Sequence, residues 1–322
     1  MQNSRCKLIG EILLNQFRNG PKHIQPDSEL KVHGFSVDFE EWFHILECKS
    51  SPRINQWNYL EPRIDLIGIH LLDFLDRYKI RGTFFILGWV AQRYPELVQE
   101  IVRRKHEIGT HGHMHLMVSK LSPDEFARDL DTSIMAISKA SGCDVYAYRA
   151  PGFSISNRQF WAFNILASRG IYLDSSLFLS SHAHGGYSLK RTGPFPLILS
   201  NHDKIIEIPI VPLSLFKINL PFSGGGYLRL LPIQLINLSF NFFEYNKIPV
   251  ITYIHPRELD LEQPKMNLSP FRKFKIYVGI NTFESKLKIL FNNFVFKPLG
   301  DIVDHSSLEP PLYINKTSNE SF

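Results

Sequence analysis

Apolar and polar positions along the first 175 residues change period repeatedly, from strand-like to helical and back. Val32–Phe39 is a mostly apolar run with Ser36 and Asp38 on one parity, which predicts a strand. Residues 64–78 carry apolar side chains at helical spacing, and 81–87 hold Thr-Phe-Phe-Ile-Leu, a buried-strand composition. A helix is predicted over 95–105, with Pro95 in its first turn, followed by a short strand at Glu107–Thr110. Ser122 is placed to cap a helix over 123–140, with Pro123 at its first position and Glu125 completing a capping box. A strand at 145–148, a helix at 157–168 and a strand at 171–173 continue the alternation. Such a rhythm predicts an α/β architecture with parallel strands arranged as a barrel.

Beyond residue 175 prolines punctuate the chain, with strand-like pieces at 205–210 and 249–254 and a helix near 283–292. The expected organisation is an N-terminal extension over 1–30, one domain over 31–302 and a loose polar tail over 303–322. In the extension, Leu8, Ile9, Ile12, Leu13 and Phe17 fall at helical spacing. This short amphipathic helix is expected to dock on the domain, with a membrane surface as the alternative.

Composition narrows the class. Apolar residues at 44% and charged residues at 21% suit a folded globular chain. The net charge of +5 is scattered over the length and gives no nucleic-acid footprint. Cys6, Cys48 and Cys143 form neither a CxxC pair nor an even set, which fits a reducing compartment. The first residues do not read as a signal peptide, so a cytoplasmic location is expected, peripheral to the inner membrane if the helix binds lipid.

Candidate chemistry sits where predicted strands end. His111 and His115, in Thr-His-Gly-His-Met-His, are spaced to converge on one metal ion. Ser36-Val37-Asp38-Phe39-Glu40-Glu41-Trp42 ends a hydrophobic strand in carboxylates, and strand alternation puts Asp38 and Glu40 on one face. One acid can ligate metal while the other takes a proton from water. Arg149, in Tyr148-Arg149-Ala150-Pro151-Gly152, can orient a carboxylate through a bidentate pair. His255 ends a very apolar strand.

In this order the features resemble polysaccharide deacetylases with NodB homology, a carbohydrate esterase family. The resemblance spans about residues 32–260 and rests on Asp38 with its following acids, the Arg81-Gly82-Thr83-Phe84-Phe85 strand, His111-x-x-x-His115, Arg149-x-Pro151, Asp174-Ser175-Ser176 and His255. Gly224-Gly225-Gly226-Tyr227 together with Ile254-His255-Pro256 is further similar to a bacterial subgroup linked to exopolysaccharide and O-antigen clusters. The resemblance implies a distorted (β/α) barrel of about seven parallel strands with a small C-terminal extension. It implies hydrolysis of an N-acetyl group on an amino sugar of a glycan. A divalent metal, zinc first but also cobalt or manganese, would be held by an acid and His111 with His115. Asp38 would be the base, Arg149 its orienting partner, His255 the proton donor to the leaving amine, and a backbone N–H near Gly152 part of the oxyanion site. The family's second adjacent aspartate is replaced by Phe39; Glu40 suits the metal position better than Glu41 on strand parity. Many relatives carry an aromatic residue where this chain has Gly152.

Trp42, Pro151, Gly152 and Tyr227 are the substrate-binding candidates, Trp42 and Tyr227 through stacking on sugar rings. His113 is a weaker metal or substrate candidate, Glu207 a weaker groove residue, and His182 and His184 are expected on a surface. The alternatives are a hydrolase of a small cyclic amide on the same scaffold and a glycan-binding module without catalysis.

Overall fold

A computed structural model describes residues 32–46, 51–180, 185–187, 189–215, 218–305 and 308–314. The N-terminal helix, His182 and His184 therefore lie outside the described residues. In chain order come β1 (Val32–Phe39), α1 (Ile64–Arg77), β2 (Thr83–Ile86), α2 (Gly88–Arg93), α3 (Pro95–Arg103), β3 (Glu107–Thr110), α4 (Pro123–Ser141), β4 (Ala147–Tyr148), α5 (Trp161–Ser168) and β5 (Leu173–Asp174). There follow β6 (Phe195–Ile198), β7 (Lys204–Glu207), β8 (Leu213–Leu215), β9 (Ile218–Leu220), α6 (Gly225–Leu230), α7 (Ile233–Tyr245), β10 (Ile251–Ile254), α8 (Pro270–Tyr277), α9 (Ile280–Asn293), β11 (Val295–Lys297), α10 (Leu299–His305) and β12 (Leu312–Tyr313).

Seven strands run parallel in the order β10-β1-β2-β3-β4-β5-β7. Among the described residues no ladder joins β7 to β10, so the curved sheet stays open there. β6 pairs antiparallel with β7 and β12 extends that edge, while β11 lies along the start of β1.

Every residue of β1, β2 and β10 is buried, because helices cover one face and the opposite face encloses an interior. Alternation sorts the side chains. Phe35, Val37, Phe39 and Phe84 belong to the large core under the helices, whereas Phe85, Ala147, Leu173 and Tyr253 form the inner cluster. Register places Asp38 opposite Phe85, and Ser36 opposite Tyr253. Continuing that parity one step past each strand end points Glu40, His111, Arg149, Ser175 and His255 to the interior side.

Local signals account for the helices that support this layer. Ser122 Oγ accepts from Glu125 N at 3.3 Å and Glu125 Oε2 accepts from Ser122 N at 2.8 Å, so α4 starts at a reciprocal capping box. It ends on Gly142 at φ 72°. The helix expected over 157–168 opens with a 3₁₀ turn at Asn157–Gln159 before α5.

The C-terminal stretch expected to be loose is partly tied down. β12 pairs with β6, and Glu309 accepts from Thr192 N and Gly193 N at 2.7 and 2.9 Å. Its apolar residues find the exposed edge of the β6–β7 hairpin, an element the proline-rich sequence did not advertise. Among the described residues no helix is long and apolar enough to cross a membrane.

Gly279, between α8 and α9, has φ 68°, and a Cβ there would fall on the Arg229 carbonyl oxygen. Gly279→Ala is expected to cost about 1–3 kcal/mol, from left-handed strain plus that clash. A urea midpoint equal to wild type would contradict this.

Candidate active site

The ends of β1, β3, β4 and β10 converge on one cleft of about 380 Å³, whose wall includes Asp38, Glu40, His111, His115 and His255. Glu40, His111 and His115 are buried and bring one ligand atom each to within 4.8 Å of one another. Glu40 Oε2 lies 2.8 Å from His115 Nε2, yet it is a buried oxygen without an aligned hydrogen bond. His111 Nδ1 is 2.8 Å from the Arg149 carbonyl oxygen, which only accepts. Nδ1 must therefore carry the proton, leaving the Nε2 lone pair for another partner. Burial holds His111 neutral, with its pKa down at about 4. Two imidazoles, that of His111 held neutral, and a carboxylate with an unsatisfied oxygen are a donor set that fits a divalent cation. The loop bends sharply to allow this, with Gly112 at φ 76° and His115 at φ 53°.

Asp38 and His255 occupy opposed positions on neighbouring strands, one step beyond the Val37–Ile254 pair. His255 Nε2 is 3.9 Å from Asp38 Oδ2 and 3.7 Å from Glu40 Oε1. Arg149, with no exposed surface, donates from Nη1 to Asp38 Oδ1 and to Ser36 Oγ, both at 2.8 Å. Its Nη2 donates to Ser175 Oγ at 2.9 Å and its Nε to the Ser175 carbonyl at 3.1 Å. Burial pushes the Asp38 pKa up, but the Arg149 charge, then His111 and His255, hold it below its ordinary value.

His255 is braced from behind. Glu258 Oε2 accepts its backbone N–H at 3.0 Å and stands 3.7 Å from Nδ1, a charge contact too long for a hydrogen bond. Glu258 Oε1 in turn accepts from Arg229 Nε at 3.2 Å. Burial works against a charged His255, yet Glu258 and Glu40 raise its pKa above the ordinary value.

Glu41 faces the other way from Glu40. It accepts from Arg63 N, Ile64 N and Trp42 N at 3.0, 3.1 and 3.3 Å, which makes it the cap of α1. His113 turns from the cleft and packs on Gly88, while Asp129 Oδ2 accepts its backbone N–H at 2.7 Å. Trp42 is buried with Phe43 and Trp57, its Nε1 donating to the Glu61 carbonyl at 3.0 Å, so it does not line the cleft. Tyr227 on α6 and Pro151 also lie off the cleft wall, whereas Gly152, at φ 62°, is part of it. The aromatic part of the wall comes from Phe153, one residue later, with Tyr253 and Phe271. Glu207 is fully buried beside Asp174 and not in the groove.

Two of the wall residues that escaped sequence reasoning bear directly on the carboxylate–histidine cluster. His44 accepts from Glu41 N through Nδ1 at 3.2 Å, leaves Nε2 buried and unpartnered, and stands with its ring 5.9 Å from that of His115. Its spacing of four from Glu40 was the only available signal. Arg257, two residues after His255, is the other.

A polysaccharide deacetylase family model matches residues 69–169, over α1 to α5 and both histidines of the cluster. Residues 69–169 carry a polysaccharide deacetylase domain. A second model, described as a domain of unknown function (DUF3473), matches residues 175–304 and so includes His255. The deacetylase region is 29% identical over 93 residues to a peptidoglycan-N-acetylglucosamine deacetylase of Bacillus cereus, covering 29% of this chain and 34% of that protein. It is 33% identical over 84 residues to chitin deacetylase 1 of Saccharomyces cerevisiae, covering 26% and 28%. The match thus spans about a third or less of these relatives. A solved structure from Mycobacterium smegmatis, assigned as a polysaccharide deacetylase, aligns with TM-score 0.59 at 17% identity over 91% of this chain and 96% of that one. An allantoinase aligns with TM-score 0.55 at 12% identity over 90% and 94%. These likenesses establish the barrel-like fold of the deacetylase domain.

Glu258 supplies a pH test. Burial raises its pKa, but His255 and Arg229 bring it from 4.5 down to about 2. A depressed acid contributes stability above its unfolded pKa that is lost as pH falls through its folded one. Between pH 5 and pH 3 wild type should lose about 2 kcal/mol more than Glu258→Gln. Parallel urea-stability curves for the two proteins over that interval would refute the assignment.

Proposed function

We propose that this chain hydrolyses the N-acetyl group of an amino sugar in a glycan, releasing acetate, with a divalent metal held by Glu40, His111 and His115. The observation that carries the reading is the convergence of those three side chains within 4.8 Å beside the in-register Asp38 and His255. Family membership and the names of the relatives, peptidoglycan and chitin deacetylases, support the substrate class. Zinc suits one carboxylate with two imidazoles, and cobalt or manganese the same set. When bound, such an ion polarises the acetyl carbonyl and lowers the pKa of water.

The residues supply the proton traffic. Asp38 Oδ1 is engaged by Arg149, so Oδ2 is the oxygen that accepts the proton of the attacking water. Arg149 fixes that carboxylate in place and keeps it ionised. His255, protonated and with Nε2 turned to the reacting side, donates to the departing sugar nitrogen. Gly152 gives the cleft wall a backbone without a side chain, where its N–H can face developing oxyanion charge. Phe153, Tyr253 and the exposed Phe271, rather than Trp42 or Tyr227, are the aromatic surfaces the cleft offers to a sugar.

Cyclic-amide hydrolysis is favoured only by the allantoinase likeness, which concerns the fold. Acetate release from N-acetylglucosamine oligomers, against ring opening of a cyclic amide, separates the two. Asp38→Asn is expected to lower kcat for acetate release by about 10²–10⁴-fold with metal content unchanged. Full activity in that variant would remove Asp38 from the role of base. Glu40→Gln should lose bound metal, while Glu41→Gln should keep it and unfold more readily, by about 1 kcal/mol. Metal content by elemental analysis of the purified variants decides which acid is the ligand.

A further inference from the structure

The cleft carries more positive charge than acetyl hydrolysis uses. Arg257 from the turn after β10, and Arg272 and Lys275 from α8, line it together with Asp38 and Glu40. Neither acid pairs with them: Asp38 is held by Arg149, and Glu40, though the Arg257 charge reaches it, makes its close contact with His115. Among the described residues, none of the three cations forms an ion pair. Arg272 reaches the Leu46 carbonyl at 3.4 Å, and the Lys275 ammonium lies 4.6 Å from the Phe271 ring centre. Arg257 Nη1 is buried and has no acceptor at all. Its neighbours differ: Arg63 is bidentate to Asp260 at 2.8 Å through both contacts, and Arg229 holds Glu258 at 3.2 Å. A buried charged donor without a partner is costly and is kept where a ligand supplies the acceptor.

We propose that this wall binds an oxyanion carried by the N-acetylated substrate, a carboxylate or a phosphate, with Arg257 as its principal donor and Arg272 and Lys275 flanking it. The inference rests on the deacetylase reading and narrows it from N-acetylated glycans to anionic ones. An N-acetyl group is uncharged, so a neutral oligomer would leave three cations unmatched. A guanidinium fork suits carboxylate and phosphate alike, while the ammonium adds field without geometry.

Binding to the full-length protein, stripped of metal, is measured by calorimetry with N-acetylglucosamine, N-acetylmuramic acid and N-acetylglucosamine 1-phosphate. At least one anionic sugar should bind about tenfold or more tightly than the neutral one at low salt, and the preference should shrink at high salt. Which anionic sugar binds better distinguishes the carboxylate from the phosphate. Arg257→Gln should cut the preference about tenfold, and Arg257→Lys should restore part of it. If Arg257→Gln does not fold, the double variant Arg272→Gln/Lys275→Gln takes its place, on a helix with no buried residues. Equal binding of the three sugars overturns the inference. So does an anionic preference that appears only after metal is added, or one that survives the substitutions. Acetate release is assayed in parallel: failure on every substrate counts against the deacetylase reading, while the binding preference still decides the anion site.

Discussion

The site is organised by the burial of one guanidinium. Arg149 has no exposed surface, and desolvating such a charge costs several kcal/mol unless its donors are met. They are met from two strands, by Ser36 and Asp38 of β1 and by the Ser175 hydroxyl and carbonyl just past β5, around an arginine that itself follows β4. Its flat face lies 4.3 Å from the Phe85 ring centre of β2. The same residue's carbonyl accepts the His111 Nδ1 proton. One buried residue thus sets the orientation of the proposed base and the tautomer of a proposed metal ligand. The two functions cannot drift apart without leaving a charge unpaired.

Strand alternation does the rest, and it explains the departure at Phe39. With Asp38 turned inward to Arg149, residue 39 must face the helices, where Phe39 packs against Phe84 at 5.6 Å between ring centres. An acid there would be buried among apolar rings. Glu40 returns to the interior side, and Glu41, on the outer parity, finds the free N–H groups at the start of α1. Sequence parity favoured Glu40 over Glu41, and the geometry shows why the second acid is still needed: it closes the helix that covers β1.

What could be read in advance was local. The parallel strands, α1, α3, α4 and the strand-end residues Asp38, Glu40, His111, Arg149 and His255 follow from period and position. What could not be read depends on contacts between distant segments. β12 exists because a sheet edge at β6 was left open, and Trp42 is consumed by a cluster with Phe43 and Trp57 that no single window reveals. His44 and Arg257 carry no periodic signal, because each lies in a turn and acquires meaning only from the side chains brought opposite it. Prolines after residue 194 were read as punctuation, yet α7 runs through Ile233–Tyr245 from a proline N-cap, with Phe240 and Phe243 in the core.

The Asp174-Ser175-Ser176 motif illustrates how far this dependence extends. None of these side chains reaches the cleft wall, and all are fully buried. Ser175 holds Arg149, and its hydroxyl donates onward to the Ile208 carbonyl at 2.8 Å. Ser176 Oγ donates to Asp174 Oδ1 at 2.8 Å and accepts the Ala150 N–H at 2.9 Å, which fixes the turn carrying Gly152. Behind them Asp174 and Glu207 face each other, both with pKa values raised, first by burial and, for Glu207, also by its neighbour's charge. Two fully buried neighbouring carboxyls cannot both ionise, so the pair retains a proton. That proton removes one negative charge from behind Arg149, leaving the guanidinium to Asp38. The position of the Asp38 carboxylate in the cleft is therefore set two layers below it, by residues that lie off the cleft wall.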